Sequence, residues 1–207
     1  MRQAIGTRKI PAAIDPATLA RDLGELEEIG KEKGAAEIAA IDSAAVIFDP
    51  ALAARVEADS RYRSAHWPVR YHQDSIEEAV RTFQKGIFFR LSPPIQVKEY
   101  REGPVPAGTE REAYLKVYEI VSMIEARAFY LGYHLAVGFA AGNCRGIFCA
   151  GEKRCAALGK AEKCIHPLRS RPSLEAVGID GRGMARERGW DLPEENAAFL
   201  AGLVMIA

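Results

Sequence analysis

Four cysteines stand within 21 residues, spaced Cys144-x4-Cys149-x5-Cys155-x8-Cys164, and none occurs in the first 143. This cluster constrains the fold more than any other feature. Four thiols so close in sequence converge only where the backbone wraps around a common point, and Gly146, Gly151 and Gly159 give the segment that freedom. The opening MRQAIGTRKIPAAIDP has no apolar run of signal-peptide length, and no stretch approaches the roughly 18–20 apolar residues of a spanning helix. A cytoplasmic protein is therefore expected, in a compartment where thiols stay reduced, and the cysteines read as ligands rather than disulfides.

Two kinds of centre use four thiolates, an iron–sulfur cluster and a tetrahedral zinc. Zinc ribbons and fingers bring their ligands as two short pairs, and this sequence has no C-x2-C pair. Its opening x4 interval is that of plant-type clusters, and Cys164-Ile165-His166-Pro167 is similar to the proline that follows the last cysteine of bacterial-type ones. Neither pattern is matched in full. From Cys144 through Pro172 there are seven basic residues and two acidic ones, Glu152 and Glu162. Such a surround suits any negatively charged tetrathiolate centre, so charge does not choose between the metals. Unligated core thiols fit less well, because the neighbours are charged and glycine-rich rather than apolar. The expected ligands are Cys144, Cys149, Cys155 and Cys164, within a metal-binding segment at 142–172. A [4Fe–4S] cluster is the favoured cofactor, and zinc is the alternative.

The rest of the chain reads as an ordinary globular protein. It has 207 residues, 48% hydrophobic and 27% charged, enough to bury a core in one domain spanning 1–207. Lysine plus arginine equals aspartate plus glutamate, 28 each, so charge points to no nucleic-acid or membrane partner. Asp15 as N-cap and Pro16 at the first helical position open a helix with Leu19, Leu23, Leu26 and Ile29 on one face, and Gly30 and Gly34 read as its stop. Residues 37–41 and 44–48 read as short strands. The pattern Ser75-x-x-Glu78 opens a second helix ending at Gly86, before a strand at 87–91. Thr109-x-x-Glu112 opens the longest helix, with Val117, Val121, Ile124, Ala128 and Leu131 on its core face and Gly132 as its stop. Strands are expected at 134–141 and 199–206, and a short helix near 183–188. The last strand lacks polar alternation and so belongs inside the sheet. The expected class is α/β or α+β, a single sheet of about four to five strands with packed helices and a cysteine-rich metal-binding loop.

Other residues invite functional readings. His166 is either a ligand or a residue that bonds the loop, and the loop role is favoured. The segment Arg169 to Asp180 either binds an anion or pins the cluster loop through arginine bonds to sulfur and backbone carbonyls, and the pinning role is favoured. His66, Trp67, Arg70, Tyr71 and His72 form a polar–aromatic group that either lines a pocket or lies on the surface. No phosphate loop, zinc-protease helix or serine nucleophile elbow occurs. The functional expectation is an iron–sulfur protein in electron transfer, or a component of a redox enzyme. Its partner would be a redox protein or a small-molecule substrate, and a homo-oligomer is left open. The alternative is a zinc-stabilised protein-binding or scaffold module without catalysis.

From about Leu131 onward the chain resembles a bacterial and archaeal family of predicted metal-binding proteins with a cysteine-rich C-terminal half. The resemblance rests on Gly138-Phe139-Ala140-Ala141-Gly142-Asn143-Cys144, the later cysteines, and Cys164-x-His166-Pro167-x4-Arg171-Pro172-Ser173-Leu174-Glu175-Ala176-x-Gly178-Ile179-Asp180. The closing Gly202-Leu203-Val204 is similar too. Many members carry a second cysteine group in the N-terminal half, whereas residues 62–68 here hold none. The resemblance implies metal binding at one site and carries no particular reaction.

Overall fold

A computed structural model of the chain describes residues 14–52, 54, 73–93, 97, 107–152, 155–158, 163–194 and 197–207. The first helix, α1 (Pro16–Glu32), starts where expected, with the Asp15 carboxylate accepting the Thr18 N–H at 2.8 Å. Leu19, Leu23 and Leu26 are buried, and Ile29 packs against the same core. Gly30 is not the stop. It lies inside the helix, where a Cβ would fall 2.2 Å from Ile38 Cδ1, and Gly34 at φ +98° is the left-handed residue beyond the helix end.

Strand β1 (Glu37–Asp42) follows, but 44–48 is no strand. Ser43–Ala45 forms a 3₁₀ turn, Val46 drops into the core, and Phe48 makes an isolated bridge to Ile179. Helix α2 (Gln73–Arg81) begins two residues ahead of Ser75 and buries Ile76 and Val80. Gly86, expected as a stop, is part of strand β2 (Lys85–Arg90), where a Cβ would press on Met205 and the Val204 carbonyl. The long helix, α3 (Thr109–Leu131), is preceded by Gly108 with no side-chain cap, so Thr109 is its first residue rather than its cap. Its expected core face is buried throughout, and Gly132 at φ +104° ends it.

Strand β3 is only Val137–Phe139, shorter than its apolar run, and lies at the sheet edge. Two short α-helices follow, α4 (Cys144–Phe148) and α5 (Gly181–Glu187), before strand β4 (Ala201–Met205). Among the described residues the sheet has four strands in the order β1-β2-β4-β3, each pair antiparallel, and the class is α+β.

Both faces of the sheet are covered. Alternate residues of a strand point to opposite faces, so Ile87, Phe89 and Val204 meet α1 and α3 on one side. Phe88, Leu203 and Met205 meet Ile76, Val80, Ile179 and Met184 on the other. That explains the unbroken apolar character of β4, which pairs on both edges and is covered on both faces. Gly202 fits where it does for want of space. A Cβ there would fall 2.6 Å from Phe89 Cζ and 2.8 Å from Val121 Cγ2.

Candidate metal centre

The cysteine segment is an excursion from the sheet whose two ends are tied together. It leaves after Phe139 and returns at Ser173, where a parallel bridge joins Ala140 to Ser173. The Ala140 N–H donates to the Pro172 carbonyl at 2.8 Å, and the Leu174 N–H donates to the Ala140 carbonyl at 3.0 Å. A second clasp comes from α3. Glu125 accepts the Gly138 N–H on the outgoing limb at 2.8 Å, and Arg171 on the returning limb through Nε at 2.8 and 3.0 Å. Arg171 also donates to the carbonyls of Ser170 and Pro167, at 2.7 and 3.3 Å. The arginine thus pins the loop through backbone carbonyls, as expected, and through a carboxylate that the sequence did not flag.

The outgoing limb forms α4, which places Cys144 at its first residue and Cys149 at its C-cap. Asn143 is its N-cap, its side-chain oxygen accepting the Arg145 N–H at 2.9 Å. One stripe of α3 holds this limb in place. Arg111 donates to the Ile147 carbonyl at 2.7 and 3.0 Å, the Tyr114 ring lies against Gly142, and the Tyr118 ring meets Phe148 edge-on with centroids 5.0 Å apart. Gly142 is held at φ +69°, and a Cβ there would fall 2.5 Å from Tyr114 Cε1. Arg111, Tyr114, Tyr118 and Glu125 follow each other at intervals of three, four and seven, which is one helix face.

Phe148 docks the returning limb. Its ring is 5.6 Å from that of His166, and the Arg169 guanidinium stands 5.0 Å over it. The His166 backbone N–H donates to Cys164 Sγ at 3.2 Å, and Ser170 Oγ lies 3.7 Å from the same sulfur. His166 therefore serves the loop through its main chain, with its ring on Phe148.

Cys144, Cys149 and Cys155 are buried, and Cys164 is half-buried. Burial, and then the thiols of Cys155 and Cys164, push the Cys149 thiol above its ordinary value, while Arg145 pulls it down. Cys149, Cys155 and Cys164 thus share one electrostatic neighbourhood, and Cys144 lies one short helix from Cys149. Among the described residues no group of three or more His, Cys, Asp or Glu side chains closes to ligating distance. The donor set itself fits a soft, thiolate-bound metal: four reduced thiols, an N–H directed at Cys164 sulfur, and a buried phenol, Tyr118, whose oxygen has no hydrogen-bond partner among the described residues.

Between the two limbs and α3 lies a cavity of about 270 Å³, lined by Glu125, Val137, Gly138, Cys164, Pro167, Ser170, Arg171 and Pro172. Burial raises the Glu125 carboxyl above its ordinary 4.5 despite the opposing pull of Arg171. Glu125, Tyr118 and Ser170 are the site residues that sequence reasoning missed. No sequence signal sets Tyr118 and Glu125 apart, because α3 also carries Glu110, Glu112, Lys116 and Glu119, and Ser170 is one small residue in a basic loop. His66, Trp67, Arg70, Tyr71 and His72 lie outside the described residues. No helix among the described residues is long and apolar enough to cross a membrane.

Neither a curated protein nor a solved structure matches the chain. Residues 58–206 match the family described as "Predicted metal-binding protein (DUF2284)", and over that span, well above half its length, the chain belongs to this family of predicted metal-binding proteins.

Proposed function

We propose that Cys144, Cys149, Cys155 and Cys164 hold one iron–sulfur cluster and that the protein passes electrons, alone or as a component of a redox enzyme. The observation that carries this reading is the excursion between Ala140 and Ser173, closed at its base, which carries all four cysteines without the paired spacing of a zinc site. When bound, such a cluster supplies a one-electron couple. The chain's own contribution is to hold and insulate it. The α3 stripe fixes the outgoing limb, the Glu125–Arg171 clasp fixes the returning one, and three of the four thiols are shielded from water. The His166 N–H donates to the Cys164 sulfur and favours its thiolate form.

Cys164 is the least buried of the four, which makes it the edge at which electrons would enter and leave. Ile165 and Leu168 beside it are 54% and 81% exposed, and Lys163 and Arg169 are exposed as well. A redox protein with an acidic face suits that edge. Protein purified without oxygen is expected to be brown and to give an electron paramagnetic resonance signal in one of its two redox states. A colourless, resonance-silent protein carrying zinc would overturn the redox reading and leave a zinc-stabilised binding module.

A further inference from the structure

The cavity of about 270 Å³ beside Cys164 lies where a sheet ladder is interrupted. Just past β3 the returning limb runs parallel to the outgoing one. The Ala140 N–H donates to the Pro172 carbonyl, and the Leu174 N–H donates to the Ala140 carbonyl. Carried back by two residues, the same ladder would set an N–H of residue 172 against the Gly138 carbonyl. Residue 172 is a proline and has no N–H to give. Gly138 lies opposite Val204 in the antiparallel pair, yet its N–H donates to Glu125 and so is turned away from β4. Its carbonyl is turned the same way, toward the returning limb. Gly138 is buried, and no described residue donates to that carbonyl. A buried carbonyl left in this way is uncommon and costs free energy.

Other lining groups also keep bonding capacity. Ser170 is 5% exposed, and its hydroxyl, 3.7 Å from the Cys164 sulfur, retains lone pairs to accept with. Arg171 commits its Nε and one Nη2 proton to Glu125, and its Nη1 protons to the carbonyls of Pro167 and Ser170. One Nη2 N–H is left over among the described residues. The Glu125 and Arg171 charges cancel, so a carboxylate or an ammonium entering the cavity would find no free counter-charge.

We propose that this cavity binds a small uncharged primary amide. Its two N–H groups donate to the Gly138 carbonyl and Ser170 Oγ, and its carbonyl accepts from Arg171. The ligand stands in for the N–H that Pro172 lacks. At roughly 30 Å³ for each water, the space holds about nine waters or an organic molecule of that bulk. Cys164 lines the same cavity, so the amide lies against the least buried of the four cysteines. Binding does not depend on the metal that the cysteines hold.

Benzamide has this bulk, and benzoate and benzamidine repeat its shape with a negative and a positive charge. The test titrates the chain, purified without oxygen, with each of the three. Saturation-transfer NMR reads the binding, and metal per chain is measured beside it. Benzamide is expected to bind with a dissociation constant on the order of a millimolar, ordinary for so small a ligand. Both ions are expected to bind at least about tenfold more weakly, since each must shed its hydration with no partner charge. Ser170→Ala is expected to weaken benzamide about fivefold, the worth of one hydrogen bond. Pro172→Ala enlarges the cavity but supplies the N–H that Gly138 lacks. It is expected to raise the urea midpoint and to weaken benzamide about tenfold, because the ladder closes in the ligand's place. A cavity that binds by shape alone would hold benzamide as tightly or more tightly in Pro172→Ala, and that result would overturn the proposal. So would unchanged binding in Ser170→Ala, equal binding of the three probes, or no binding of benzamide. Benzamide binding with these preferences in a chain that carries no metal would uphold the proposal and remove only the metal-centre reading.

Discussion

Replacement of Cys164 by alanine is expected to strip most of the metal from the chain while leaving the sheet folded. Cys164 stands on the returning limb and belongs to neither hydrophobic core cluster, so its loss removes a donor without opening the interior. Losing a residue one shell beyond the metal already weakens binding about 10- to 100-fold, and losing a ligand should do at least as much. Cys149→Ala and Cys155→Ala are expected to lose metal to the same degree. Metal per chain in each purified variant, beside the urea midpoint of the metal-free forms, measures this. A Cys164→Ala chain with unchanged metal content would take Cys164 out of the ligand set.

Replacing Arg171 by alanine is expected to cost about 3 kcal/mol at neutral pH in metal-free protein, the low end for removing one partner of a buried pair. The low end applies because the two side chains keep 20% and 13% of their exposure. Glu125 would be left in the interior with the Gly138 N–H as its remaining hydrogen-bond donor among the described residues. Its carboxyl already titrates above 4.5 through burial, with Arg171 pulling it down, so removing the arginine raises it further. A carboxyl whose folded value exceeds its unfolded one favours the fold when protonated and opposes it when ionised. The defect of Arg171→Ala should therefore be largest at pH 7, shrink as pH falls through the raised folded value, and level off below 4.5, where both states are protonated. What remains there is the loss of the loop's carbonyl bonds. Urea unfolding of wild type and variant across this range gives the difference directly. A defect independent of pH would mean that Glu125 does not carry the burden of the broken pair.

Much of the fold was legible in the sequence because its signals are local. Asp15 with Pro16 fixes the start of α1, Gly132 ends α3, and the unrelieved apolar run of β4 places it inside the sheet. The misreadings have a common cause. Gly30 and Gly86 read as stops, yet each is a point of close approach, one to Ile38 and the other to Met205 and Val204. Residues 44–48 have the composition of a strand, but Val46 is drawn into the core beneath β1 while Phe48 is captured by Ile179. No local pattern announces either event. Tertiary contact decides them.

The site divides in the same way. The four cysteines are visible as a cluster because ligands for one centre can be supplied by one excursion. What holds that excursion is not visible, since Arg111, Tyr114, Tyr118 and Glu125 lie far upstream on a helix that reads as core. Ser170 is a small residue in a basic loop, with nothing to mark it until its hydroxyl is found beside Cys164 sulfur. Membership in a family of predicted metal-binding proteins agrees with the cluster and is silent on the metal.

The central claim is one iron–sulfur centre on the four cysteines, and the most direct measurement is iron, zinc and acid-labile sulfide per chain in protein purified without oxygen. The account predicts about four irons with matching sulfide and little zinc. About one zinc without sulfide, or no metal in a folded chain never exposed to air or chelator, would contradict it.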